Sequence, residues 1–115
     1  SAGIYNVTLE QGATFTRTIT YNDPSGTPID LTNFTAEMDL RPSYSSDTTV
    51  LSLSTDNGRI ALGGEAGTIT LTVAAEDMAA LEAPADGVYD LELYNGTETT
   101  RLLQGTWTIS PEATR

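Results

Sequence analysis

Asp90 and Glu92, two residues apart in the run YDLEL, are the nearest approach to an acid–base pair in this 115-residue sequence. Two carboxylates at that spacing share one face of a strand and could in principle divide a proton-transfer task. The residues that alternate with them, Tyr89, Leu91 and Leu93, mark the opposite face as the buried one, so the pair reads as a solvated outer surface. Histidine, cysteine and lysine are absent, and the five basic residues are Arg17, Arg41, Arg59, Arg101 and Arg115. The commonest general base and metal ligand, thiolate chemistry and amine nucleophiles are therefore missing. Residues 22–26 (NDPSG) and 56–58 (DNG) are rich in oxygen atoms. Neither has ligands at alternate positions followed by a glutamate, as a dedicated calcium loop needs, so both read as turns. Gly63, Gly64 and Gly67 are followed by no lysine and by no expected helix, both of which a phosphate cradle requires. No catalytic residue, metal or cofactor is predicted, and the sequence reads as that of a non-enzyme.

Binding is the remaining kind of chemistry. The net charge of −11 repels phosphate backbones and anionic lipid, so no nucleic acid and no membrane is an expected partner. The carboxylates are scattered over turns and strand faces, a pattern that serves solubility. No run approaches the ~20 apolar residues of a transmembrane helix. The N-terminal run SAGIYNVTLE lacks the basic start and apolar stretch of a signal peptide, so a cytosolic origin is expected, with Ser1 and Ala2 left after removal of an initiator methionine. Asn6, Asn33 and Asn95 each begin an Asn-x-Thr triplet, but with threonine at roughly one residue in six such triplets arise by chance. The tyrosines are Tyr5, Tyr21, Tyr44, Tyr89 and Tyr94. Alternation leaves some of them exposed, Tyr94 above all, and exposed tyrosines make good anchors at protein interfaces.

Such anchors must be carried by strands. Residues 87–109 read as a long β-hairpin around which the chain is organised, with Tyr89, Leu91 and Leu93 inward on its first arm and Leu103, Trp107 and Ile109 inward on its second. Gly105 stands where a large side chain would otherwise sit, and Trp107 is expected to be buried. Asn95-Gly96 predicts a tight turn with both residues at positive φ. Earlier, residues 4–10 place Tyr5, Val7 and Leu9 on one face, and residues 14–21 set Phe15, Arg17, Ile19 and Tyr21 against four threonines. Arg17 on the apolar side predicts a position near an edge or a carboxylate partner. Residues 27–31 are expected to be extended at an edge, because Pro28 cannot donate to a ladder. Phe34, Ala36, Met38 and Leu40 alternate inward until Pro42 ends their strand. Residues 43–48 form a polar, mobile loop around Tyr44; residues 49–53, 59–62 and 68–73 give further strands, with Ile69, Leu71 and Val73 inward. Residues 74–81 (AAEDMAAL) predict one short helix capping an end of the fold, and Pro84 and Gly87 lead into the hairpin. Short alternating strands with turn signals every eight to twelve residues or so are the pattern of an antiparallel sandwich or barrel.

Two stretches carry a family likeness. Gln11-Gly12 with Phe15 and Ile19, followed by residues 26–35 (GTPIDLTNFT), resembles the start of the immunoglobulin-like N-terminal domains of phage baseplate upper proteins. Residues 89–93 (YDLEL), 101–105 (RLLQG) and 110–114 (SPEAT) are similar to the closing segments of small tailed-phage virion proteins. With the strand pattern, the resemblance implies an all-β, immunoglobulin-like antiparallel β-sandwich of about 7–9 strands with one short helix. It spans residues 1–115 as a single domain, with residues 110–115 as an extended tail. The resemblance also implies a virion structural protein made in the host cytoplasm, an adaptor in the tail, baseplate or fibre assembly, present in multiple copies and bound to other virion proteins. Its expected partner contacts are Tyr5, Tyr44, Tyr94, Pro111 and Arg115, supplied by the N-terminal segment, the loop and the tail. A capsid decoration protein and a carbohydrate-binding module are the alternatives.

Overall fold

Alternating apolar and threonine-rich stretches become strands because the branched or apolar side chain packs on one side of a pleated surface and the polar one is left wet on the other. The computed structural model describes residues 3–83 and 85–111. Within them lie nine strands: β1 (Gly3–Ile4), β2 (Val7–Glu10), β3 (Phe15–Thr20), β4 (Thr35–Arg41), β5 (Leu51–Ser54), β6 (Ile60–Leu62), β7 (Thr68–Val73), β8 (Ala85–Tyr94) and β9 (Thr99–Ser110). One helix, α1 (Ala75–Ala79), precedes the hairpin of β8 and β9.

The strands form two sheets. The larger has the order β1-β9-β8-β4-β5, with β2 also on β9, and the smaller has the order β3-β7-β6. Their inner faces meet in one cluster, in which Met38, Leu40, Leu91, Leu93, Trp107 and Ile109 of the larger sheet oppose Phe15, Ile60, Ile69, Leu71 and Val73 of the smaller. The Trp107 indole Nε1 donates to the Arg41 carbonyl at 3.0 Å, so the one polar atom of the largest core residue is satisfied. No polar or charged residue is buried among the described residues.

The sandwich is not wholly antiparallel. β1 and β2 run parallel to β9 in one continuous register, from Gly3 opposite Leu103 to Glu10 opposite Ser110. Parallel neighbours need a long connection, and here almost the whole chain supplies it. At the interruption between β1 and β2, a side chain at Gly105 would collide with the Tyr5 carbonyl. The Asn6 carboxamide oxygen there accepts from the Thr106 N–H at 3.1 Å and the Thr106 hydroxyl at 3.0 Å, in place of a strand carbonyl.

Several local expectations are corrected. The hairpin closes through the four residues between Tyr94 and Thr99 rather than a two-residue turn. Gly96 has φ +98°, but Asn95 is not at positive φ; its side-chain oxygen instead accepts from the Thr97 and Glu98 N–H groups. Residues 27–31 form no strand, only a bridge between Asn22 and Pro28. The Ser25 hydroxyl, then the Thr27 and Ser25 N–H groups, donate to Asp23, and the Thr32 hydroxyl, then its N–H, donate to Asp30; these hydrogen bonds hold both carboxyls below the ordinary carboxylate value. β5 starts at Leu51 rather than Thr49. A single 3-10 turn, Gly64–Ala66, stands among the glycines where no helix was expected. α1 is shorter than residues 74–81, with no side-chain cap, and is held by Met78, which is wholly buried, and by an Asp77–Arg59 ion pair at 3.2 Å. Residues 43–48, expected to be a loop, lie outside any strand or helix, and Arg41 donates to the Ser46 carbonyl there at 3.0 Å. Pro84 and residues 112–115 of the expected tail, like Ser1 and Ala2, lie outside the described residues.

Candidate functional site

The outer face of the larger sheet is built by pairs of residues that sequence distance conceals. β4 and β8 are in register so that Glu37 faces Glu92 and Asp39 faces Asp90. Like charges directly opposite each other on one face repel unless something offsets them. Three groups do so. Ser52 of β5 donates to Asp39 at 2.6 Å, Arg41 lies 3.5 Å from Asp39, and Arg101 of β9 lies 3.4 Å from Asp90 and 4.0 Å from Glu92.

Arg101 reaches that face only because of a bulge. By strict alternation it would share the inner side with Leu103, Trp107 and Ile109. The register instead shifts between Leu91 and Glu92, which pair with Leu103 and Arg101, leaving Leu102 as the extra residue and turning Arg101 outward. The adjacent leucines Leu102 and Leu103 are the break in alternation that could have disclosed it. Asp90 and Glu92 thus lie on a polar outer face, as expected, but in a lattice with Arg101 rather than as isolated carboxylates. No group of three or more candidate metal ligands occurs among the described residues.

The two most exposed tyrosines stand at opposite ends of this face. Tyr44, 62% exposed, follows β4 and borders a groove with Asp39, Asp90, Arg101 and Gln104. Tyr94, 47% exposed, ends β8 beside Glu37, Glu92 and Thr99, and its hydroxyl donates to the Gly96 carbonyl at 2.9 Å. Tyr5, also an expected partner contact, is placed differently from these two. It is half-buried, its carbonyl accepts from the Tyr89 hydroxyl at 2.5 Å, and its own hydroxyl accepts from Arg17 at 2.6 Å. Tyr5 therefore ties the N-terminal strand down. Pro111 is exposed just after β9, beside Ala85 and Asp86, and Arg115 lies outside the described residues. Burial, followed by the neighbouring Tyr5 and Tyr44, pushes the Tyr89 hydroxyl up to about 12.

Arg17, on the apolar side of β3, occupies an edge, the first of the two placements its pattern allowed. Its guanidinium lies over two rings, 5.8 Å from the Tyr5 centroid and 5.6 Å from that of Phe15. What residue patterns alone did not identify is the groove between this edge and β1, because its walls come from residues near 4, 18 and 103.

No family model matches the chain, and no curated protein matches it either. Solved structures match its shape. A structure described as Tim-1 is 16% identical with TM-score 0.45, covering 100% of this chain and 99% of that one. The extracellular domain of the voltage-gated sodium channel β4 subunit, described as a parallel homodimer with a role in cell–cell adhesion, is 12% identical with TM-score 0.50 and covers 97% and 95%. A further structure concerning adhesive interactions of sodium channel β subunits is 13% identical with TM-score 0.49 and covers 96% and 93%. The likeness to the sodium channel β4 domain, at TM-score 0.50 and 12% identity, concerns the fold alone, an immunoglobulin-like β-sandwich.

Proposed function

We propose that this chain is a non-enzymatic docking module, a phage virion structural protein that acts as an adaptor between tail, baseplate or fibre components. The observation that carries the docking reading is the outer sheet face with Tyr44 at one end and Tyr94 at the other. Large amphipathic anchors flanking a charged lattice suit a protein surface better than a small substrate. The virion reading rests on the resemblance of Gln11-Gly12, Phe15, Ile19 and residues 26–35, and of residues 89–93, 101–105 and 110–114, to phage proteins. The test is quantitative mass spectrometry of purified particles after heads are separated from tails. Recovery with tails at a low fixed ratio to a tail protein is expected. Recovery with heads at a ratio near that of the shell protein would make it a decoration protein, and absence from both would end the virion reading. The double variant Tyr44→Ala with Tyr94→Ala is expected to lower incorporation at least about tenfold, as loss of two interface anchors does.

A second reading has one observation of its own. Tyr44 overhangs a groove with Asp39, Asp90, Arg101 and Gln104, an aromatic beside convergent polar groups of the kind that holds a sugar ring. Binding on a glycan array that Tyr44→Ala abolishes would support it; no binding to any glycan removes it.

A further inference from the structure

β3 is hydrogen-bonded to β7 alone, along one edge. The Tyr21 N–H donates to the Gly67 carbonyl at 2.8 Å, extending that ladder. Bonded and non-bonded positions alternate in an antiparallel pair, so Phe15, Arg17 and Ile19 bond to β7, and the backbone groups of Thr16, Thr18 and Thr20 point away from it. All three threonines are exposed. The edge of β5 is closed by contrast: the Asn57 carboxamide accepts from the Ser54 N–H at 3.0 Å and donates to the Ser52 carbonyl at 2.9 Å, and Arg59 donates to that carbonyl too. β6 is only three residues long, whereas β3 is six, FTRTIT, rich in β-branched residues. Such an edge pairs with another chain unless it is blocked.

Beside this edge runs a groove of about 360 Å³ with Ile4, Ile19 and Leu103 in its walls, separating β3 from β1. Ile4 is 77% exposed, more than any other large apolar residue described. Arg17 decides the chemistry of what fits there. Arg41, Arg59 and Arg101 each pair with a carboxylate. Arg17 rests on two rings and the Tyr5 hydroxyl, and no carboxylate among the described residues pairs with it, in a chain with sixteen acidic side chains. A second copy is the wrong occupant. Two β3 strands paired about a two-fold axis at Thr18 would set both Arg17 side chains on one face of adjacent strands, with no carboxylate in either FTRTIT to offset them.

We propose that the free edge of β3 and the groove beside it receive an extended segment of another protein, which adds as an antiparallel strand, places a carboxylate opposite Arg17 and puts an apolar side chain opposite Ile19. This deepens the docking reading above and rests on it, but uses a surface separate from the tyrosine face. The probe is a labelled peptide GSTITETVSG, compared with GSTITKTVSG. The chain's charge of −11 favours the lysine peptide at long range, so preference for the glutamate peptide requires a local contact. The glutamate peptide is expected to bind at least about tenfold more tightly, as a charge-assisted hydrogen bond provides, and to slow amide exchange at Thr16, Thr18 and Thr20. Arg17→Gln should erase the preference. Thr18→Pro removes an N–H that lies outside the β7 ladder and should abolish binding, Ile4→Glu should weaken it, and the Tyr44→Ala, Tyr94→Ala double variant should bind normally. Equal affinity for the two peptides, or binding without protection of those amides, overturns the assignment. Concentration-dependent protection in the chain alone would give the edge to a second copy and also overturn it. Normal peptide binding by a chain absent from particles would end only the virion reading; normal incorporation of the chain with no peptide binding would end only the edge assignment.

Discussion

Tyr89 joins parts of the chain that are far apart in sequence: from the middle of β8 its hydroxyl donates to the Tyr5 carbonyl, which in turn lies against Gly105 of β9. Tyr89→Phe leaves that carbonyl without its donor and is expected to cost about 1–3 kcal/mol, read from urea unfolding. The same hydroxyl sets a pH dependence. Its folded value, about 12, lies above the ordinary 10.0, so the fold prefers the neutral phenol. That contribution is complete below pH 10 and is lost as pH rises toward 12. Wild-type stability should therefore fall across that window more steeply than that of Tyr89→Phe; parallel curves would refute the linkage. Gly105→Ala drives a methyl group into the Tyr5 carbonyl and should also detach the N-terminal strand. Because both variants break one junction, their double variant is expected to be less than additive in a thermodynamic cycle.

Among the elements, edges and bulges do more than strand number to define what the surface offers. The bulge in β9 sends Arg101 to the outer face, where it separates Asp90 from Glu92, while Gly105, Trp107 and Ile109 beyond it keep their inward alternation. The β5 edge is covered by Asn57, whose amide group imitates one peptide unit of a neighbouring strand. Asn57→Ala should cost about 1 kcal/mol and expose the Ser52 and Ser54 backbone groups to pairing. Sedimentation should then show concentration-dependent association that the parent chain lacks at the same concentration; a monomeric variant would mean that Arg59 alone protects the edge.

At the scale of the whole molecule, stability comes from one cluster shared by two sheets, in which Trp107 is the largest fully buried side chain and 1% exposed. Trp107→Ala is expected to cost about 3–5 kcal/mol, a large part of the total for a domain of this size. Leu103→Ala, at a half-buried position beside the open groove, should cost well under half as much in the same denaturation experiment. Most of the strands, the inward alternation of Tyr89, Leu91 and Leu93 and the burial of Trp107 were determined by the sequence itself, because alternation and turn chemistry act between residues only a few positions apart. The position of Arg17 at an edge was legible for the same reason, since a charge on an apolar face has to escape to solvent. Only the tertiary structure decided that the first strands run parallel to β9, that Tyr5 is tied down while Tyr44 and Tyr94 share a face, and that β3 keeps a free edge beside Ile4. Those features depend on Gly105 meeting Tyr5, Glu37 meeting Glu92 and Leu103 standing across from Ile19. Such meetings are set by the packing of the two sheets over the whole chain, and no local period records them.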